Sequence, residues 1–129
     1  MNQLSFLIAR LAIGMSFLGH GLVRLPKLGG FSAWMVGKFK DSLLPEALVI
    51  PFSYALPFAE FAVGLFIILG WFTKEALVAG GIVVIILIFG SSMVEDWGSI
   101  PSQLLHILFV VGLLSYEKQY NAFSLDKRF

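Results

Sequence analysis

Ala76-Leu-Val-Ala-Gly-Gly-Ile-Val-Val-Ile-Ile-Leu-Ile-Phe-Gly-Ser-Ser-Met-Val94 carries no charge and is dominated by valine, isoleucine and leucine. A helix needs roughly 20 mostly apolar residues to cross a bilayer, and this run meets that requirement. Three further stretches do the same: Leu4 to Leu25, Pro51 to Trp71 and Ile100 to Tyr116, the last being the shortest. The expected fold is therefore all-α, an integral membrane four-helix bundle.

Composition agrees. Of 129 residues, 58% are hydrophobic and 13% charged, and mean hydropathy is +0.89. A soluble domain carries about 25% charged residues, and one this small has too little interior for so much apolar surface. A single domain over residues 1–129 is the expectation. The net charge of +1 and the absence of a basic run argue against nucleic acid as a partner. With no cysteine, the chain has no disulfide, thiol relay or cysteine-held cluster of its own. The N-terminal run lacks a basic start and a small-residue cleavage site, and Arg10 interrupts it. It reads as a retained first span rather than a signal peptide.

The breakers match this division. Pro26, Gly29 and Gly30 end the first span, and Pro51 suits the first turn of the second. Pro57 falls inside the second span and should kink it or free a carbonyl. Short turns at Gly70–Glu75 and Glu95–Gly98 imply antiparallel neighbours. Between the first two spans, Phe31, Trp34, Met35 and Phe39 recur at helical spacing beside Lys38 and Lys40. That pattern suits an amphipathic interfacial segment or a cap packed over the bundle mouth. The tail from Glu117 to Phe129 is polar enough to leave the membrane. The cations divide evenly, with Lys74, Lys118, Lys127 and Arg128 against Arg24, Lys27, Lys38 and Lys40. The positive-inside rule is therefore silent. Both termini are placed in the cytoplasm, because short ends are the simpler ones to leave untranslocated.

An ionisable residue at the centre of a spanning helix costs roughly 2.5–3.5 kcal/mol on insertion scales, so it faces the interior and has a partner. By depth, His20, Glu60, Gln103 and His106 converge in the half of the bundle away from the termini, called here the outer half. Gln103 and His106 share a face through their i, i+3 spacing. Tyr54 and Trp97 sit nearer the mouth. Arg10 enters from the opposite side, where its long side chain is expected to reach Glu60 as a structural ion pair fixing helix register. Arg24 and Lys27 are expected to snorkel to the interface. Gln103 reads either as interhelical glue or as a ligand contact.

These residues carry a resemblance to the DoxX/DoxD-like membrane proteins. It rests on Arg10-Leu-Ala-Ile-Gly14, Phe17 and His20-Gly21 followed by a basic residue and Leu25. To these it adds Leu56-Pro57-Phe-Ala-Glu60, Gly64 and Leu69-Gly70-Trp-Phe-Thr73-Lys74, then Trp97, Gln103-Leu104 and Asn121-Ala-Phe-Ser124-Leu125-Asp126. Arg24 stands where lysine is expected and Lys74 where arginine is; charge is kept, although a bidentate contact at Lys74 would be lost. The resemblance implies a four-helix protein of the bacterial inner membrane associated with respiratory or thiol redox systems. Some relatives are described as subunits of a thiosulfate:quinone oxidoreductase or terminal quinol oxidase, others as parts of oxidative-stress complexes.

The expected function is thus a quinone-interacting subunit of an oxidoreductase system. Glu60 and His106 would be its catalytic pair, and His20, Gln103, Tyr54 and Trp97 its ligand contacts. Quinone would be the bound molecule, with membrane lipid and a redox protein as partners. A non-catalytic scaffold or assembly subunit is the alternative. Haem held by His20 and His106 and a divalent metal at His20, Glu60 and His106 are further alternatives. No dedicated metal site is expected.

Overall fold

The computed structural model describes residues 1–127. Arg128 and Phe129, counted above with the tail, lie outside the described residues. Helix α1 (Gln3–Arg24) starts at a capping box in which the Asn2 side chain accepts from the Ser5 amide at 2.8 Å and Ser5 Oγ returns a bond to Asn2. A short 3-10 turn at Leu25–Lys27, with Pro26 inside it, leads into α2 (Leu28–Phe39). Then come α3 (Glu46–Leu69), α4 (Thr73–Met93) and α5 (Ile100–Tyr120). At 1.5 Å per residue the long helices measure roughly 31–36 Å, enough for a hydrocarbon core of about 30 Å. Four helical segments are long and apolar enough to cross a membrane, and no strand occurs among the described residues.

The interior joins all four long helices. Phe6, Ile13 and Phe17 of α1 meet Val63 and Ile67 of α3, Leu77 and Val84 of α4, and Val110 and Leu113 of α5. Helices α1 and α3 approach almost to backbone contact. A Cβ on Gly21 would fall 2.6 Å from the Pro57 carbonyl oxygen, and one on Gly64 would fall 2.7 Å from that of Gly14. Only glycine permits that spacing. By contrast, α5 buries only Val110 and Leu113. Its outer face, including Leu105 and Leu108, is exposed, as are Ile82, Ile85 and Phe89 of α4. Such an apolar exterior suits lipid and would not suit water.

Two expectations change, and for the connection between the first two spans the cap alternative holds. The second span begins at Glu46, with extended Pro45 as its N-cap, so both Pro51 and Pro57 lie inside α3. The connection before it contains α2, fixed to α3 by Ser53 Oγ donating to Ser32 Oγ at 2.7 Å and by Met35 against Val49 and Leu56. Helix α2 thus caps the outer mouth while leaving Trp34 55% exposed at the rim. The tail does not simply leave. After Tyr120 it folds back, burying Asn121 and Ser124 against the other end of the bundle.

Candidate functional site

The expected ion pair between Arg10 and Glu60 does not form. Arg10 is buried near the end of α3, where Nη1 donates to Asn121 Oδ1 at 2.7 Å and Nη2 to the Ile68 carbonyl at 3.4 Å. Glu60 lies further back along α3, about 12 Å from Ile68 by helical rise, beyond the reach of Arg10. The rest of this end is equally local. Asn121 Nδ2 donates to Thr73 Oγ1 at 3.1 Å. The Asp126 carboxylate accepts from the Phe72 and Thr73 amides at 2.6 and 2.9 Å, capping α4 from a distant part of the chain. Although partial burial raises the Asp126 pKa, hydrogen bonds from Thr73 and Phe72 and the charge of Arg10 hold it below its ordinary value. Gly70 makes the turn at φ 66°, and a Cβ there would lie 2.9 Å from Arg10 Nη1.

Glu60 pairs instead with Arg24, Nη1 to Oε1 at 2.8 Å. Besides this pair, the Arg24 guanidinium lies 4.5 Å from the Phe31 ring of α2. This pair forms part of the wall of a part-enclosed cavity of about 300 Å³ under α2. Apolar walls come from Phe17, Phe31, Trp34, Met35, Phe52, Leu56, Val84 and Leu87; polar groups come from His20, Arg24, Lys38, Glu60, Ser91, Gln103 and His106. At the rim, Lys38 Nζ donates to Asp96 Oδ2 at 2.9 Å and stands 5.0 Å from the Trp34 ring. Bonds from Ser99 and from Lys38 keep the Asp96 pKa below its ordinary value.

The two histidines differ in what they have free. Nδ1 of His20 lies 2.7 Å from the Ser16 carbonyl, and Nδ1 of His106 lies 2.8 Å from the Ser102 carbonyl. A carbonyl oxygen only accepts, so both Nδ1 atoms carry hydrogen. His106 Nε2 also meets Ser16 Oγ at 2.7 Å, so both its nitrogens are engaged. His20 Nε2 has no hydrogen-bond partner among the described residues. The rings stand 6.3 Å apart, edge to face. Haem ligation by both would have to break the Ser16–His106 contact. Among the described residues, no three His, Cys, Asp or Glu side chains are grouped to hold a metal ion.

Gln103 lines the cavity, its Nε2 donating to Ser91 Oγ at 2.9 Å and approaching the Leu87 carbonyl at 3.5 Å. Tyr54 and Trp97 are not among the lining residues; they are 44% and 59% exposed. Tyr54 has a suitable depth but the wrong angle. Phe52, Leu56 and Glu60 recur every four residues on one face of α3, and Tyr54 falls outside that stripe. Phe52, Ser91 and Ser16 were not anticipated. Only Phe52 had a signal in the sequence, through its spacing from Glu60.

Compared with known proteins, residues 5–94 match the DoxX family model. The chain belongs to the DoxX family. No curated protein and no solved structure matches it. The DoxX match takes in Arg10, His20, Arg24 and Glu60, together with all of α2, α3 and α4. It stops before Gln103, His106 and Asn121, so those partners of the DoxX segment are supplied by the chain beyond it.

Proposed function

We propose that this multi-pass membrane protein holds the ring of a quinone-type molecule in the cavity under α2, as the membrane-embedded partner of a redox system. The observation that carries this reading is the cavity itself. Aromatic and aliphatic walls surround a small set of polar groups, the usual composition of a small-molecule site, and about 300 Å³ is at the small end of such sites. Phe17, Phe31, Trp34 and Phe52 would contact the ring. The guanidinium N–H groups of Arg24 not used by Glu60 would donate to a ring oxygen. His20 Nε2 would accept from a hydroxyl, and His20 and Glu60 are the groups able to take up or release its proton. His106 would hold its place through Ser16 and Ser102. Electrons would come from a redox protein partner. Bacterial inner membrane with both termini cytoplasmic is the location that goes with this reading.

Binding of decylubiquinone to the purified protein, followed by quenching of tryptophan fluorescence, tests it. Glu60→Gln should weaken binding of the quinone about tenfold, and His20→Ala should weaken binding of its reduced quinol, which carries the hydroxyl that Nε2 would accept from, by a similar factor, the value of a charge-assisted or buried hydrogen bond. Unchanged affinity in both variants would remove the site. If these variants and His106→Ala lose folding together while quinone never binds the unaltered protein, the scaffold reading takes its place.

A further inference from the structure

The cavity under α2 reaches the surface at two levels. Five residues of its wall are exposed: His20, Trp34, Lys38, Ser102 and Ile86. Four of them carry a polar group and lie at the mouth. By helical rise His20 is about 6 Å from the end of α1 and Ser102 about 3 Å from the start of α5, while Trp34 and Lys38 belong to α2 itself. Ile86 differs in both respects. Its side chain is pure hydrocarbon, and it lies about 10 Å below Met93, the outer end of α4. Helix α4 is about as long as the hydrocarbon core is thick, so that depth falls among lipid tails rather than headgroups. Ile82, Ile85 and Phe89 beside it are exposed as well. Ile86 therefore belongs at once to the lipid-facing surface and to the cavity wall. One turn above it, Gly90 also lines the cavity, and the Phe39 ring of α2 stands 3.2 Å from where a Cβ on Gly90 would be.

From this placement we propose that the cavity edge at Ile86, below Phe39 and Gly90, is a window through which the hydrocarbon tail of a lipid quinone passes into the bilayer. The proposal rests on the quinone reading and narrows it to long-tailed quinones dissolved in the membrane. A volume of about 300 Å³ is at the small end of ligand sites, so a ring with its substituents leaves no room for a long tail. Enclosing the tail in protein would bring no hydrophobic gain, since lipid is as apolar as a helix surface, and ordering it costs entropy. A tail left in lipid through the window avoids that cost. The mouth offers it only polar groups and the Lys38–Asp96 pair.

Two quinones with one ring separate the window from the ring site. Decylubiquinone and the same dimethoxymethylbenzoquinone ring without a tail are titrated calorimetrically into the protein in detergent. In Ile86→Trp the larger side chain should crowd the window and weaken decylubiquinone about tenfold, with the tail-less ring binding as before. Ile85→Trp adds the same bulk to α4 away from the cavity wall and should leave both affinities as they are. Equal loss for both quinones in Ile86→Trp would make Ile86 an ordinary wall of the ring site. No loss for either would put the tail elsewhere. Each of these results overturns the window and leaves the quinone reading standing. With no variant at all, a decylubiquinone analogue bearing a diazirine on its tail should label α4 between Ile82 and Gly90 on irradiation, and excess decylubiquinone should suppress that label. Suppressible label on α1 or α5 instead, or label that excess decylubiquinone leaves unchanged, also overturns the window. If neither quinone binds the unaltered protein, both claims fall.

Discussion

The bundle contains two arginines drawn into its interior, and they do opposite things. Arg10 is 3% exposed and meets Asn121 and the Ile68 carbonyl in a corner where chain segments close on one another. The Arg24 side chain is 26% exposed and meets Glu60 across a cavity that also holds His20 and Gln103. The first uses polar groups to hold a turn and a tail together. The second places polar groups where protein does not fill the space. Arg10 is the more deeply buried of the two, yet the deeper burial marks the fastening; the empty volume beside Arg24 is what marks a site.

Arg10→Met should break the first end without touching the second. It strips Asn121 Oδ1 and the Ile68 carbonyl of their donor, and each orphaned buried group costs roughly 1–3 kcal/mol. A loss of about 2 kcal/mol or more in SDS-induced unfolding is expected, with decylubiquinone affinity unchanged. A parallel loss of affinity would mean the two ends are coupled.

Asp126→Asn probes the same end by pH. The carboxylate has a pKa below its ordinary 3.8 in the folded chain, so its contribution is complete above about pH 4 and lost as pH falls through the folded value. The substitution should cost about 1 kcal/mol near neutrality, the usual worth of a helix N-cap. Measured below pH 3, the gap between the two proteins should narrow; a constant gap would show that the charge is not what caps α4.

How much of this contrast could be read in advance follows from the range of the forces involved. The four spans were legible because lipid imposes a length and polarity on each segment separately. Glu60 stood out for the same reason, since a carboxylate in an apolar helix needs an explanation. Its partner did not. Depth alone makes Arg10 and Arg24 both reasonable, and the choice depends on α2 folding back to hold the Arg24 guanidinium inside. The bond from Arg10 to Asn121 joins residues far apart in the chain, and nothing local announces it. Tyr54 was misplaced for a simpler cause, depth being used where helical angle was also available. The Gln103–Ser91 pair depends on the packing of α5 against α4, which neither stretch specifies alone.

Lys38→Met should have the smallest effect. The Lys38–Asp96 pair lies at the rim, and solvent screening leaves exposed pairs of this kind contributing little to stability. Unfolding should barely change. Because this pair ties α2 to the α4–α5 turn at the rim, decylubiquinone should associate faster in stopped-flow mixing, and added salt should speed the unaltered protein towards the variant. An unchanged rate would place the entrance elsewhere.

The glycine contacts between α1 and α3 have a mechanical consequence. With Gly21 against Pro57 and Gly64 against Gly14, those two helices form a spine that cannot slide or part without losing its closest packing. Compliance is left to the thinly buried α5. A ligand held as proposed would meet one stiff wall and one yielding wall, and the yielding one would govern its admission.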